Sequence, residues 1–471
     1  MYIYLILFGY LALSLILSRS ALGQKISNAD QYYLNNRNLK GVKLFFTLIA
    51  TNFSAFFFIG FAGEAYRVGY AYYAMMAIGT SIGAIAFYLL GSPAWHQSKQ
   101  KGYITPAEMV GKMVGSSLLT RVVAILMIVF MIPFIGIQII GAGLIISNLT
   151  GGGIPYIGGA AILLGFILLY VWSSGMYSVA RLDVYNGLIM LTLIVVAFIF
   201  ISRSLGGISA INEKIAELDP ELLSASGKGG AYTPTIWLSY MILWITCLPV
   251  FPQIFLRFLM AKKESDFKQI SFLYTIVPPL LFIFPVALGV MGHLSFPDLQ
   301  GRASDQIIPM LMTRHIPPYL AAFVLTGALA AFVSTTDSTL LALSSLITRD
   351  LYKPLVKPDL SEKQEVNIGR ISVLVLCLIS LVIAWFRPTT IFQLAALTFS
   401  FLSILFPVFL AILRFNYKDG RMAVIAIIVG ELALVFFTII QPGIAKSLGV
   451  LPVVPAVFLT SLILFFGKKA K

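Results

Sequence analysis

Apolar runs separated by short polar stretches recur from one end of the chain to the other, and a run of about 20 apolar residues is enough to cross a bilayer as a helix. The pattern predicts thirteen transmembrane helices, numbered here as spans 0 to 12, over residues 2–18, 44–63, 71–93, 118–146, 155–173, 184–203, 234–260, 270–292, 316–348, 367–386, 389–413, 421–441 and 449–467. No soluble domain fits between them. The longest hydrophilic segment, 204–233, carries Glu213, Glu217, Asp219 and Glu221 and is expected to form a short amphipathic helix or lid outside the membrane.

Two spans look broken. Span 1 reads LFFTLIATNFSAFFFIGFAG, with Thr51, Asn52 and Ser54 at mid-depth, and span 6 reads WLSYMILWITCLPVFPQIFLRF, with Pro249 and Pro252 three apart. A proline inside a helix removes one backbone hydrogen bond and clashes with the preceding turn, so the freed carbonyls must face protein, water or a ligand. Interrupted segments at matching places in two halves point to a transporter built from inverted repeats, with substrate and ions at the midplane. Spans 1–5 (residues 44–203) and 6–10 (234–413) would be the repeats. The remaining units are an N-terminal helix and loop (1–43), the extracellular segment 204–233 and two C-terminal helices (414–471).

The chain has 33 Lys and Arg against 19 Asp and Glu, yet only 11% of its residues are charged and 59% are hydrophobic. Most of the basic residues fall in alternate loops, including Arg19, Lys25, Arg37, Lys99, Lys101, Arg349, Lys353, Lys357 and the tail Lys468, Lys469, Lys471. By the positive-inside rule those loops are cytoplasmic, which gives an outside N-terminus, a cytoplasmic C-terminus and a multi-pass protein of the cell membrane. The excess of positive charge therefore needs no nucleic acid. No basic residue precedes the first apolar run and Arg19 follows it, so that run is expected to be a retained helix rather than a signal peptide. Cys247 and Cys377 lie within spans and offer neither a disulfide framework nor metal spacing, and His96, His293 and His315 are too scattered for a metal site. No nucleophile–base pair or phosphate loop appears, so the chain is not expected to be an enzyme.

Span 8 contains an acid, Asp337, within LAAFVSTTDSTLLALSSLITRD. An ionisable residue in a membrane helix is by default a candidate for an ion, a proton or a polar partner. Ala331, Ser334, Thr335 and Ser338 fall on one helical stripe beside it. An isolated Ser or Thr often just bonds back to the carbonyl four residues earlier; the run Ser334, Thr335, Thr336, Ser338 fits that reading poorly.

With ATNFSAFFFIGFAGEAYRVGY, IGIQIIGAG, SSGMYSVARLDVYNGLIML, PQIFLRFLMAKK and LAAFVSTTDSTLLALSSLITRDLYKP in order along residues 30–420, the chain resembles the sodium:solute symporter family, its monocarboxylate and proline members most. The resemblance implies an all-α LeuT-type 5+5 inverted repeat with one extra N-terminal and two extra C-terminal helices. It also implies a sodium site made of the Ala50 and Phe53 carbonyls, the Ala331 carbonyl and the Ser334 and Thr335 hydroxyls. Five oxygens suit a hard monovalent cation better than a transition metal. Some members hold a second sodium with an acid early in span 5, and Asp183, Asp337 and Ser338 stand at the matching places. Asp183 could equally pair with Arg181 or a cytoplasmic lysine, and a desolvated carboxyl would also permit proton coupling.

The substrate region is expected around Asn52, Ser54, Phe56, Phe57, Gln138, Trp244, Thr246 and Gln253. The sugar-transporting branch has a Glu-Gln pair just after the Asn-x-Ser of span 1, where this chain has Phe56 and Phe57. An apolar box with few polar anchors suits a small monocarboxylate or amino acid better than a hexose, with the carboxylate against the N-terminal end of a half-helix. Arg67 is expected near the outer mouth, pairing with Glu64 or attracting anions. The expected activity is sodium-coupled import by alternating access, with Na+ as the coupling ion, no organic cofactor, and the small solute and the lipid bilayer as partners of a functional monomer. A proton-coupled permease of the same fold is the alternative; a channel, or a sensor with a separate output domain, is a more distant one.

Overall fold

The computed structural model describes residues 2–19, 29–37 and 39–469; Lys25 of the first loop and Lys471 of the tail lie outside the described residues. Among the described residues the regular structure is helical, and the one β-bridge pairs Leu39 with Ala261. Eight helices are long and apolar enough to cross a membrane, or ten if each of two bent pairs is one span. In order, the unbroken ones include Ala71–Lys101 (span 2), Ser117–Leu149 (span 3), Ser265–Leu294 (span 7), Pro318–Leu355 (span 8), Glu362–Phe386 (span 9), Ile391–Phe415 (span 10) and Gly420–Ile440 (span 11). Shorter apolar helices occupy Tyr2–Leu17, Tyr156–Leu169 and Val453–Gly467.

The two bent pairs are the segments expected to be broken. In span 1, Gly41–Asn52 and Phe56–Val68 meet at 61°; in span 6, Pro234–Val250 and Pro252–Leu259 meet at 53°. Spans 4 and 5 differ from expectation. In place of two helices over 155–173 and 184–203, helical backbone runs without interruption over Tyr156–Ser204, 49 residues. The stretch expected to connect them has no proline and a single glycine, Gly175, so nothing in it stops the ladder of intrahelical bonds.

Span 8 is the axis of the bundle. Every residue from Val324 to Ser345 is buried, and the helix is packed by spans 0, 3, 5 and 9, by the first half of span 1 and by the second half of span 6. A helix enclosed all round can carry hydroxyls and an acid only if its neighbours supply partners, and the site is built from those neighbours. Outside the bundle, Ile208–Leu218 forms the amphipathic helix expected in the 204–233 segment, with Ile211 and Ile215 buried beneath it.

Candidate functional site

The span 1 break contains neither Gly nor Pro. It opens because polar groups there offer the backbone partners outside its own ladder. Phe53 is extended (φ −79°, ψ 111°). Ser54 Oγ accepts from Phe56 N at 3.1 Å, and Gln138 of span 3 accepts from Ala55 N at 2.7 Å. Gln138 is fixed in turn by donating through Nε2 to the Phe134 carbonyl at 3.1 Å. Ser54 and Gln138, expected among the substrate residues, thus hold the two half-helices apart. The helix resumes through a π-turn, Phe56–Gly60.

The span 6 break is made by covalent chemistry. Pro249 lies in a short 3-10 turn, Leu248–Val250. Phe251, preceding a proline, is held extended (φ −58°, ψ 127°). Pro252 then takes the first helical position, where its missing N–H loses nothing.

Ala50, Phe53, Ala331, Ser334 and Thr335 are all at most 1% exposed. Thr335 Oγ1 donates to the Phe53 carbonyl at 3.2 Å, joining span 8 to the span 1 break. Ala50 lies against span 5 close to Gly187, where a Cβ would come within 3.5 Å of its own. Ser334 Oγ donates to Asp183 Oδ1. Thr336 and Thr339 do what isolated helix hydroxyls do, bonding back to Phe332 and Thr335 carbonyls at 2.6 and 2.7 Å.

Asp183, Asp337 and Ser338 come together around a residue the sequence reading passed over, Arg257 of span 6. Its Nη2 donates to Asp183 Oδ2 at 2.8 Å and to Ser338 Oγ at 2.6 Å, with both charged side chains fully buried. Ser338 Oγ lies 3.2 Å from Asp337 Oδ1 and 3.4 Å from Thr51 Oγ1. Nη1 faces two thioethers, Met176 Sδ at 3.0 Å and Met260 Sδ at 3.7 Å. Asp183 is therefore paired with Arg257, across 74 residues. The signal was present in PQIFLRF, a lone arginine in an apolar run, but nothing in the sequence says which acid it meets.

Next to the span 1 break lies a cavity of about 30 Å³, lined by Asn52, Phe53, Phe56, Phe57, Phe61, Met76, Thr80, Phe134, Trp244, Leu248, Phe282 and Phe399. Phe53 and Phe57 stack at 4.3 Å between centroids, and Phe56 meets Phe399 edge-on at 5.4 Å. Asn52 Nδ2 donates to Tyr274 OH, and Trp244 Nε1 points at Met75 Sδ. Thr246 bonds back to the Ile242 carbonyl at 2.7 Å. Gln253 is 1% exposed with neither amide atom hydrogen-bonded. Asn52, Phe56, Phe57 and Trp244 thus line this cavity, whereas Ser54, Gln138, Thr246 and Gln253 do not.

At the end of span 1, Arg67 pairs with Glu64 and donates to Ser304 Oγ, while Tyr232 OH donates to Glu64 Oε1 at 3.2 Å. Asp305 Oδ2 accepts from Ile391 N at 3.0 Å, which ties this loop to the start of span 10. Among the described residues no group of three His, Cys, Asp or Glu could hold a metal ion, and Cys247 and Cys377 are free and buried.

Residues 32–437 match the sodium:solute symporter family, and the chain belongs to that family. It is a multi-pass membrane protein of a class whose activity is sodium-coupled symport of small solutes. It is 28% identical over 445 residues to the sodium/pantothenate symporter of Escherichia coli (strain K12), covering 93% of this chain and 90% of that one. It is 26% identical over 445 residues to the osmoregulated proline transporter OpuE of Bacillus subtilis (strain 168), covering 93% and 88%. A solved Na+-coupled sialic acid symporter, substrate-bound and outward-open, superposes with a TM-score of 0.82 at 19% identity, covering 100% and 98% of the two chains; this likeness extends to the fold.

Proposed function

We propose that this protein imports a small carboxylate-bearing solute, a monocarboxylate or an amino acid, driven by sodium bound between the break of span 1 and span 8. One contact carries the reading: the Thr335 hydroxyl stands 3.2 Å from the Phe53 carbonyl, so two of the five expected sodium oxygens already share one buried point. Sodium entering there would replace that hydrogen bond by two ligand bonds, holding the half-helix of span 1 against span 8. Sodium and solute would then favour the same closed arrangement, which is the thermodynamic content of coupling.

The solute class follows from the box at the break. Eight of its twelve lining residues are aromatic, and Asn52 and Thr80 are the polar ones. Each hexose hydroxyl buried there without a partner would cost roughly 1–3 kcal/mol. A carboxylate needs few donors, and the backbone N–H groups at the start of a half-helix supply them. The cavity as it stands is too small for a solute, so loading requires the rings to part.

In this reading there are thirteen spans, the long helical segment Tyr156–Ser204 supplying two of them, Tyr156–Leu169 and Val179–Ser204, arranged as two inverted repeats of five with the extra helices outside them. The N-terminus is outside, the C-terminus is cytoplasmic, and one chain in the cell membrane is the working unit. Asp183, bonded to Arg257, and Asp337, linked to the same arginine through Ser338, support a second reading in which a further sodium or a proton binds at this cluster.

Proteoliposomes separate these possibilities. Uptake that requires an inward sodium gradient, is competed by short monocarboxylates or amino acids and is indifferent to glucose and galactose is the expected result. Uptake driven by a pH gradient without sodium would assign the coupling to protons, and competition by hexoses but by no carboxylate would overturn the solute class.

A further inference from the structure

A cavity of about 640 Å³ opens at the end of the bundle where the 2–3 and 8–9 connections meet, the predicted cytoplasmic side. Its charges are mostly matched. Lys112 pairs with Glu108 at 2.6 Å, and Arg349 and Lys353 share Glu365 at 2.6 and 3.3 Å. Two groups on its wall keep polar atoms that this network leaves unmatched: Arg121, and Asp350, whose carboxyl interacts with Arg349 and Thr105 through its other side. Arg121 bonds only within its own helix, to the Ser117 carbonyl at 3.2 Å and to Ser117 Oγ at 3.4 Å, with no carboxylate partner among the described residues. Asp350 is 2% exposed, and its Oδ2 has no hydrogen-bond partner.

A buried carboxylate oxygen without a donor is costly, and it disfavours a purely anionic occupant. An arginine without an acid disfavours a purely cationic one. We propose that the cavity binds the zwitterionic headgroup of a phospholipid with a primary ammonium, of the phosphatidylethanolamine class. Its ammonium donates to Asp350 Oδ2, and its phosphate lies towards Arg121 and the Ser117 hydroxyl. The volume is that of an ordinary small-ligand site. Leu118, Leu355 and Val356, respectively 52, 58 and 64% exposed beside it, offer apolar surface for acyl chains. Asp350 and Arg349 lie in the π-helical turn Leu346–Tyr352, which directly follows the helix that carries Ser334 and Thr335. An occupant therefore links lipid composition to the helix expected to bind sodium.

Native mass spectrometry of the purified full chain, offered phospholipids of identical acyl chains, tests this. The wild-type protein should retain phosphatidylethanolamine about tenfold over phosphatidylcholine, as expected for one charged hydrogen bond, with the N-methyl and N,N-dimethyl lipids between them. Asp350→Asn should abolish that preference, and Arg121→Gln should weaken retention of all these lipids while preserving their order. Equal retention of phosphatidylethanolamine and phosphatidylcholine by the wild type overturns the proposal without recourse to any variant. Displacement of the lipid by an equal concentration of soluble glycerophosphoethanolamine would assign the cavity to a free zwitterion and overturn the lipid.

Discussion

The breaks of spans 1 and 6 bend by similar angles, 61° and 53°, and are held by different forces. Span 6 is bent by two prolines whose rings fix the backbone whatever surrounds them, and its short second half is anchored by the Arg257–Asp183 ion pair. Span 1 has no such residue. It stays open because Ser54 and Gln138 supply the bonds that the helix gives up. One break is written into the chain, whereas the other depends on a side chain 83 residues away. The span 1 break is thus the one that a ligand competing for backbone groups can influence.

Breaking the charged anchor should have the largest effect. Arg257→Met leaves Asp183 buried without its guanidinium and should lower stability by about 3–5 kcal/mol, seen as a lower melting temperature in detergent. Asp183→Asn combined with Arg257→Met should lose less than the sum of the two single changes, since no charge is stranded. Gln138→Leu, which is similar in size, comes next. It deprives Ala55 N of its acceptor in a dry site and should cost about 1–3 kcal/mol, and it should also raise the sodium needed for half-maximal uptake.

A pH effect should follow where span 1 ends, the mouth proposed to face outside. Burial pushes the Asp305 carboxyl up to about 6, against about 3.9 when exposed. In the closed arrangement the ionised form is the penalised one, so closure gains as pH falls through 6 and stops gaining below about 4. Between pH 7 and 5 this amounts to roughly 1 kcal/mol, close to tenfold. The labelling rate of Thr80→Cys by an external thiol reagent, with the native cysteines replaced, should fall accordingly, and Asp305→Asn should flatten the profile. The smallest effect belongs to Pro252→Ala. Because that proline occupies a first helical position, its removal should change stability by less than about 1 kcal/mol.

Both breaks were legible as interruptions in apolar runs, one through its prolines and the other through Thr51, Asn52 and Ser54. The hydroxyl stripe of span 8 was legible as a helical pattern, and Thr335 does meet Phe53. Arg257 was visible but unassigned, because pairing across spans is settled by packing and not by spacing. Gln138 and Ser54 were expected as substrate contacts, and the structure adds a backbone role for both; spacing alone could not show it, since a polar side chain at mid-membrane can serve a ligand or the backbone. The continuous helix over Tyr156–Ser204 was missed because hydropathy marks where a chain leaves the bilayer, while the hydrogen-bond ladder stops only where residues such as proline interrupt it.

Sodium-dependent stability tests the proposed site most directly, independently of any substrate. A ligand that binds only the folded state raises the melting temperature according to its concentration relative to its dissociation constant. The purified protein should therefore melt higher in sodium chloride than in potassium chloride of equal strength, and Ser334→Ala and Thr335→Ala should each shift the sodium midpoint upward by about fivefold or more, as the loss of one ligand worth about 1–3 kcal/mol requires. Identical melting in the two salts, or midpoints unchanged in both variants, would contradict a sodium site between span 1 and span 8.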